Sequence, residues 1–268
     1  MSETQPALTV VPAAREAPNA LFEYLLRLGD DRLVLGHRLS EWCGHGPILE
    51  EDIALANVSL DLLGQATMLL RLAGEVEGKG RDEDALAYFR DAVEFRNCQL
   101  AELPNGDFAF TIVRQFLFDV HAVLLLDALS RSSHAELAAI AAKSLKEAKY
   151  HVRHSGDWVL KLGDGTEESH RRAQRALDAL WRFTDELFVA DDIERTMLDA
   201  GIGADLAAVK AQWEGIVRDT LTRATLSIPP SPPRFATRGG RAGAHTEALG
   251  HLLAEMQIVA RSHPGASW

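Results

Sequence analysis

Residues 53–66 read IALANVSLDLLGQA. Wound as a helix, this stretch is apolar on nearly every side, which predicts a central helix packed among other helices. Its polar residues Asn57, Asp61 and Gln65 recur every four positions, so they share one stripe that we expect to lie inside the protein. Because a buried carboxylate without a partner is costly, Asp61 must find a cation, a hydrogen-bond donor or a metal.

The rest of the chain has the same helical character. Ala, Leu, Glu and Arg dominate long windows, and the alternating β-branched pattern of strands is rare. Clusters of glycine, proline and asparagine separate these helical stretches from one another. The sequence therefore predicts an all-α protein. The predicted helices cover residues 20–42, 50–77, 82–103, 108–131, 136–162, 167–188, 192–200, 204–224 and 245–262. We expect a disordered tail over 1–18, a single domain over 19–268, and a long Pro/Gly loop over 227–243.

Charge and composition exclude several classes of function. The chain has 268 residues with 28 Lys and Arg against 39 Asp and Glu, a formal charge of −11. This charge repels nucleic acid and anionic lipid. No uninterrupted apolar run reaches the length of a membrane span, so we predict none. Cys43 and Cys98 cannot form a disulfide framework, which favours buried free thiols and a cytoplasmic location.

Acidic residues fall inside four of the long predicted helices. They are Asp30 and Asp31, Asp61, Asp119, and Glu147. Ferritin-like bundles bind two irons with such an arrangement, using a carboxylate from each of two helices and a Glu-x-x-His motif from each of the other two. The pattern therefore predicts a ferritin-like antiparallel helical bundle with additional C-terminal helices.

The two histidines of that arrangement are missing. Gly64 follows Asp61 by three residues, and Tyr150 follows Glu147 by three. Neither side chain replaces imidazole well as a metal ligand. We predict that the bundle keeps the acids without a metal, and that other side chains or water hold them. The candidate partners are Lys143, Lys146, Arg38 and Gln65.

Two other interpretations remain open at this point. His151 lies one turn after Glu147; it either bonds to that glutamate or completes a di-metal site. The residues of that alternative site are Asp61, Asp119, Glu147 and His151. The other interpretation concerns the Pro/Gly loop, whose arginines could bind an acidic partner or the phosphates of coenzyme A. With such a loop the chain could also be a free-standing acyl-CoA-binding protein without chemistry of its own. These arginines are Arg234, Arg238 and Arg241.

Several segments, in order and spacing, resemble one protein family. They are LGD at 28–30, LSEWCGH at 39–45, LDLLGQA at 60–66, KEAKYH at 146–151, LWRFT at 180–184 and LAEMQ at 253–257. Over about residues 20–268 the chain resembles the PaaC subunits of phenylacetyl-CoA epoxidases, which belong to the ferritin-like superfamily.

The resemblance implies a non-catalytic structural subunit of a di-iron monooxygenase that epoxidises the ring of phenylacetyl-CoA in aerobic phenylacetate degradation. It implies no cofactor on this chain, di-iron in a PaaA-like catalytic sister subunit, and NADPH, FAD and an iron–sulfur cluster in a reductase. The implied partners are the sister, a second copy of this chain, the reductase and small accessory subunits. The sister's ligand positions map here onto Asp30 or Asp31, Asp61, Gly64, Asp119, Glu147 and Tyr150.

Overall fold

The structure is a computed structural model that describes residues 20–230 and 238–266. In these ranges the regular elements are all helical, which confirms the all-α prediction. The α-helices are α1 Ala20–Ser40, α2 Leu49–Glu77, α3 Glu83–Tyr88, α4 Gln99–Glu102, α5 Phe108–Leu129, α6 Ala135–Gly163, α7 Glu167–Leu180, α8 Asp192–Asp199, α9 Leu206–Arg223 and α10 Glu247–Ser262. Short 3-10 helices cover Ala92–Glu94, Trp181–Phe188 and Gly240–Ala242. The predicted tail over 1–18 lies outside the described residues.

Helices α1, α2, α5 and α6 form the bundle. The hairpins α1–α2 and α5–α6 make its most extensive contacts. Residues 78–107 cross between them, so that the C-terminal end of α1 meets the start of α5, where the Trp42 indole donates to Thr111 Oγ1 at 3.0 Å. Helices α2 and α6 run antiparallel, with His154 bonded to Glu51 at 2.9 Å. One long crossover between two hairpins is the ferritin-like topology, as predicted.

Helix α1 is the centre of the molecule. Every residue from 24 to 36 is buried. Two glycines let it approach α2 closely: a Cβ at Gly29 would lie 2.8 Å from Leu70 Cδ2, and one at Gly36 would lie 3.1 Å from Leu63 Cγ. Any larger side chain at these positions would push the two helices apart.

The predicted helix over 82–103 is wrong. The chain there divides into α3, a 3-10 turn, an extended stretch and α4. The reason is that backbone N–H groups of this segment bind carboxylates instead of helix carbonyls. Arg96 N donates to Asp30 Oδ2 at 2.8 Å, and Cys98 N donates to Asp31 Oδ1 at 2.7 Å. The prediction for 167–188 is also too regular, since α7 ends at Leu180 and a 3-10 helix follows.

The C-terminal helices pack on the bundle and share its core. The Trp213 indole of α9 donates to the Leu117 carbonyl of α5 at 2.9 Å. On the other side, the Gln257 amide of α10 donates to the carbonyls of Ala87 and Arg90, both at 3.0 Å. The crossover is therefore held between α1 and α10.

Two helices, α2 and α5, are long and apolar enough to cross a membrane by length and composition, a test that buried core helices also pass. The most apolar window of α5 is 83% buried inside the protein, whereas that of α2 is only 50% buried. Burial in the bundle accounts for the apolar character of α5. Half of α2 faces outward, and this outward side includes Asn57, which corrects the prediction that its side chain lies inside. Cys98 is buried as predicted, but Cys43 is exposed.

Two glycines of α2 provide a matched test of how closely α2 packs against the crossover. A Cβ at Gly74 would fall on the Arg81 carbonyl oxygen, whereas a Cβ at Gly64 would meet no atom within 4 Å. We expect Gly74→Ala to lower the free energy of unfolding by about 1–3 kcal/mol, because the crossover must shift. Gly64→Ala should raise it by about 0.5–1 kcal/mol through helix propensity. Urea unfolding measures both, and equal stabilities would contradict this account.

Candidate functional site within the four-helix bundle

The acids singled out in the sequence fall into two groups. Asp30 and Asp31 of α1 bind the crossover and the C-terminal segment. Asp61, Asp119 and Glu147 lie along the α2, α5 and α6 side of the bundle.

Asp30 is a structural residue. Its fully buried carboxylate accepts a hydrogen bond from Arg90 Nη1 at 2.9 Å and from the backbone N–H of Arg96 at 2.8 Å. Arg90 is itself buried and stacks over the Phe95 ring at 4.3 Å. Arg90 Nη2 donates to the other carboxylate oxygen, Oδ1, at 2.5 Å, so both oxygens of Asp30 have protein partners. The mapping of Asp30 onto a ligand position of the sister stays a prediction.

Asp31 has an equivalent role on the other side of α1. Its oxygens receive Arg241 Nη1 at 2.8 Å and Arg241 Nη2 at 2.7 Å, and Cys98 N adds a third bond at 2.7 Å. The Arg241 side chain is only 17% exposed. Arg241 is therefore a structural residue, which corrects its predicted docking role, whereas the mapping of Asp31 onto a ligand position of the sister stays a prediction. Arg238 is half exposed and pairs with Asp185, while Arg234 lies outside the described residues.

A chain of hydrogen bonds crosses the bundle where α1 faces α2 and α6. Arg32 Nε donates to Gln65 Oε1 at 2.9 Å, and Gln65 Nε2 donates to Glu147 Oε2 at 2.8 Å. Arg32 is buried, and burial lowers its pKa to about 10, so the guanidinium stays protonated at neutral pH. Helix α1 thus contributes a cation to the site and not a carboxylate.

Arg32 is not among the residues predicted from the sequence, although it directly follows Asp30 and Asp31 in a leucine-rich helix. Gln65 is correctly predicted as a partner of the acids. Of the other candidates, Lys146 is exposed. Arg38 Nη1 bonds to Glu41 at 2.7 Å, and the Lys143 ammonium lies 3.7 Å from Met68 Sδ.

Asp61 and His151 form a separate pair across α2 and α6. His151 Nε2 lies 3.0 Å from Asp61 Oδ2; the histidine is buried, whereas the Asp61 side chain is 38% exposed. The predicted hydrogen bond between Glu147 and His151 is therefore replaced by one to Asp61. The partial exposure of Asp61 also corrects the expectation that it lies fully inside.

Asp119 of α5 is held by neutral donors. Gln115 Nε2 donates to its Oδ1 at 2.7 Å, and Ser155 Oγ donates to its Oδ2 at 2.8 Å. Burial raises the pKa of Asp119 to about 6, and the nearby His151 and the two hydrogen bonds limit this rise. Asp119 is thus the acid of this bundle whose protonation is most sensitive near neutral pH.

These residues do not fit a di-iron centre. Within 20–230 and 238–266, no group of three or more His, Cys, Asp or Glu side chains is arranged to hold a metal ion. The alternative site is divided among three sets of partners: Asp61 with His151, Glu147 with Gln65, and Asp119 with Gln115 and Ser155. At the two positions where histidine ligands are expected, Gly64 has no side chain and the Tyr150 side chain is 44% exposed. The protonated Arg32 repels a cation from the remaining space.

Fold and core together define a ferritin-like bundle whose acids are paired with protein groups. Residues 5–268 match the family of phenylacetic acid catabolic proteins, and the chain belongs to this family. It is 50% identical over 250 residues to the C subunit of the 1,2-phenylacetyl-CoA epoxidase of Escherichia coli strain K12, covering 93% of this chain and 100% of that relative. These findings confirm the resemblance to PaaC subunits.

Removing one partner of the buried ion pair between Arg241 and Asp31 should be strongly destabilising. Arg241→Ala leaves a buried carboxylate without its cation and should lower the free energy of unfolding by about 3–5 kcal/mol. Arg223→Ala is the control, because it removes an exposed pair with Asp219 and should cost less than about 1 kcal/mol. Guanidinium unfolding measures both variants. The double variant Asp31→Asn/Arg241→Met should recover much of the loss, and a loss unchanged in that variant would contradict the pairing.

Asp119 should give the protein a measurable pH dependence. Because its folded pKa of about 6 lies above its ordinary value of 3.8, the folded state binds the proton more tightly, and stability falls as pH rises from about 4 to about 6. Asp119→Asn removes this loss, so its advantage over the unsubstituted protein should grow across that window to about 1–3 kcal/mol. Asp127→Asn, at an exposed pair with Arg131, is the control. Urea unfolding between about pH 4 and pH 7 checks the difference, and a flat difference for Asp119→Asn would refute the assignment.

Proposed function

We propose that this chain is a non-catalytic structural subunit of a phenylacetyl-CoA epoxidase complex in aerobic phenylacetate degradation. The observation that carries the proposal is the buried chain from Arg32 through Gln65 to Glu147, in which a guanidinium takes the place of a metal. The name of the relative, the C subunit of such an epoxidase, supports the choice of complex.

The physical basis is that a bundle of this kind no longer needs iron to neutralise its acids. Each acid of the former site has a protein partner, so the fold is stable without a metal. Oxygen activation requires several carboxylate and imidazole ligands around the metal ions, and the donor set of this chain lacks them. The chain therefore contributes no group to the reacting atoms and acts by stabilising its partner in the complex.

In the proposed complex a PaaA-like sister subunit holds the di-iron and binds phenylacetyl-CoA. It adds one atom of O2 to the ring as an epoxide and reduces the other atom to water, with two protons and the two electrons that a reductase with FAD and an iron–sulfur cluster delivers from NADPH. Further proposed partners are a second copy of this chain and small accessory subunits. A cytoplasmic location is part of this proposal, because the thioester substrate and NADPH are cytoplasmic compounds.

Metal content tests the proposal directly. The purified chain, loaded anaerobically with iron, should retain close to none, whereas the chain co-purified with its sister should contain about two irons per pair of subunits. Omitting the chain should abolish epoxidation by the sister and reductase. About two irons on the isolated chain would assign it its own metal site and overturn the proposal.

Glu147→Gln separates the two roles further. The amide oxygen can still accept a hydrogen bond from Gln65, so the fold should be unchanged. The epoxidation rate of the assembled complex should stay within about twofold of that with the unsubstituted protein. If Glu147 were a metal ligand, the rate should fall by about 100-fold or more. Iron content and turnover of the same preparation decide between these outcomes.

A further inference from the structure

An exposed stripe that includes two large apolar side chains, Ile53 and Leu60, runs along the outward side of α2. The positions 53, 57, 60, 64, 67 and 71 follow one another in steps of four and three, which keeps them on one face, and all six are exposed. Ile53 is 52% exposed and Leu60 is 66% exposed. Gly64 beside them leaves open space above the helix backbone, because a Cβ there would meet nothing within 4 Å. This stripe is the half of α2 that the bundle does not cover.

A second stripe on α6 lies beside it. Its exposed residues are Lys143, Lys146, Tyr150 and Arg153. The seam between α2 and α6 is marked by the bonds from Gln65 to Glu147 and from Asp61 to His151. In each helix an outward residue directly precedes a seam residue, as Leu60 precedes Asp61 and Tyr150 precedes His151. Both stripes are therefore rotated from the seam in the same direction about their own helix axes. Because the helices are antiparallel, the two stripes lie on the same side of the molecule.

The aromatic residue of this surface is held in a defined orientation. The Tyr150 ring stacks on the His154 ring with centroids 6.2 Å apart, and the Arg153 guanidinium lies 5.7 Å from the centroid of Tyr150. His154 in turn bonds to Glu51 at 2.9 Å. Tyrosine and arginine are among the side chains that contribute most to the binding energy of protein interfaces.

The α6 part of this surface is basic, with the partly exposed Asp61 at the seam and the exposed Asp157 one turn after Arg153 as its acids. Between residues 143 and 153 the sequence carries four Lys and Arg residues, and its single acid, Glu147, is bonded to Gln65. The chain as a whole carries −11. A row of cations on α6 beside the exposed Ile53 and Leu60 attracts a partner that presents apolar residues bordered by Asp and Glu.

The same charges argue against a second copy of this chain as the occupant. In a two-fold contact the surface would meet itself, so the cations of one copy would approach those of the other. We propose that the docking face, defined as Ile53, Leu60, Gly64, Lys146, Tyr150 and Arg153, binds the metal-bearing sister through an apolar helix face bordered by acids. This inference rests on the proposed function and adds to it the surface of contact.

Charge and size substitutions on the docking face test this proposal. Leu60→Glu and the double variant Lys146→Glu/Arg153→Glu should each raise the Kd for the purified PaaA-like sister by about tenfold or more, as expected for central interface positions. The matched controls are Ile258→Glu, at an exposed apolar position of α10, and Lys79→Glu, at an exposed cation after α2; both should stay within about twofold. Because all these side chains are exposed, unfolding midpoints should not change. Calorimetric titration measures the Kd, and circular dichroism measures the midpoints.

The outcomes separate the docking face from the proposed function. If the unsubstituted chain does not bind the sister, the proposed function fails. If it binds and both docking-face variants bind equally well, the docking face is wrong while the proposed function stands. If light scattering shows that Leu60→Glu dissociates a homodimer and leaves binding to the sister unchanged, a second copy covers the face and the inference is overturned. The expected result also includes a weaker dependence of Kd on salt for the double charge variant.

Discussion

Three consecutive charged residues, Asp30, Asp31 and Arg32, lie in the middle of a helix that is buried on all sides. Each needs a partner inside the protein, because an unpaired buried charge is strongly destabilising. Asp30 forms an ion pair with Arg90 of the crossover, and Asp31 forms one with Arg241 of the C-terminal segment. Arg32 donates a hydrogen bond to Gln65 of α2. The two ion pairs hold the crossover and the segment around Arg241 against α1.

The crossover and the C-terminal segment follow from this constraint. Backbone N–H groups of the crossover bind the α1 carboxylates, so this segment cannot continue as a helix. The C-terminal part of the Pro/Gly loop and the residues that follow it are fixed by further buried acids. Glu186 accepts from Gly239 N and Gly240 N, both at 2.8 Å, and Glu102 accepts from His245 Nδ1 at 2.7 Å. The His245 ring is nearly buried, and despite this burial its pKa is raised by the bond to Glu102.

The same run of charges bears on function. In the two-iron arrangement of ferritin-like bundles the facing side chain of the first helix is a carboxylate, whereas here it is the guanidinium of Arg32. The positive charge is now covalently part of the chain, and Gln65 links it to Glu147. This internal compensation of charge is the physical basis of the structural role proposed above.

The helical class, most of the long helices, the ferritin-like topology and the lack of two histidines at ligand spacing could all be predicted from the amino-acid sequence. These features depend on residue spacing within one helix, which a sequence displays directly. Three others required the packed structure: Arg32, and neither Asp30 nor Asp31, faces Gln65; Arg241 is buried; and His151 pairs with Asp61. The physical reason is that adjacent residues of a helix point about 100° apart, so the neighbour that each one meets depends on how separate helices are rotated and packed.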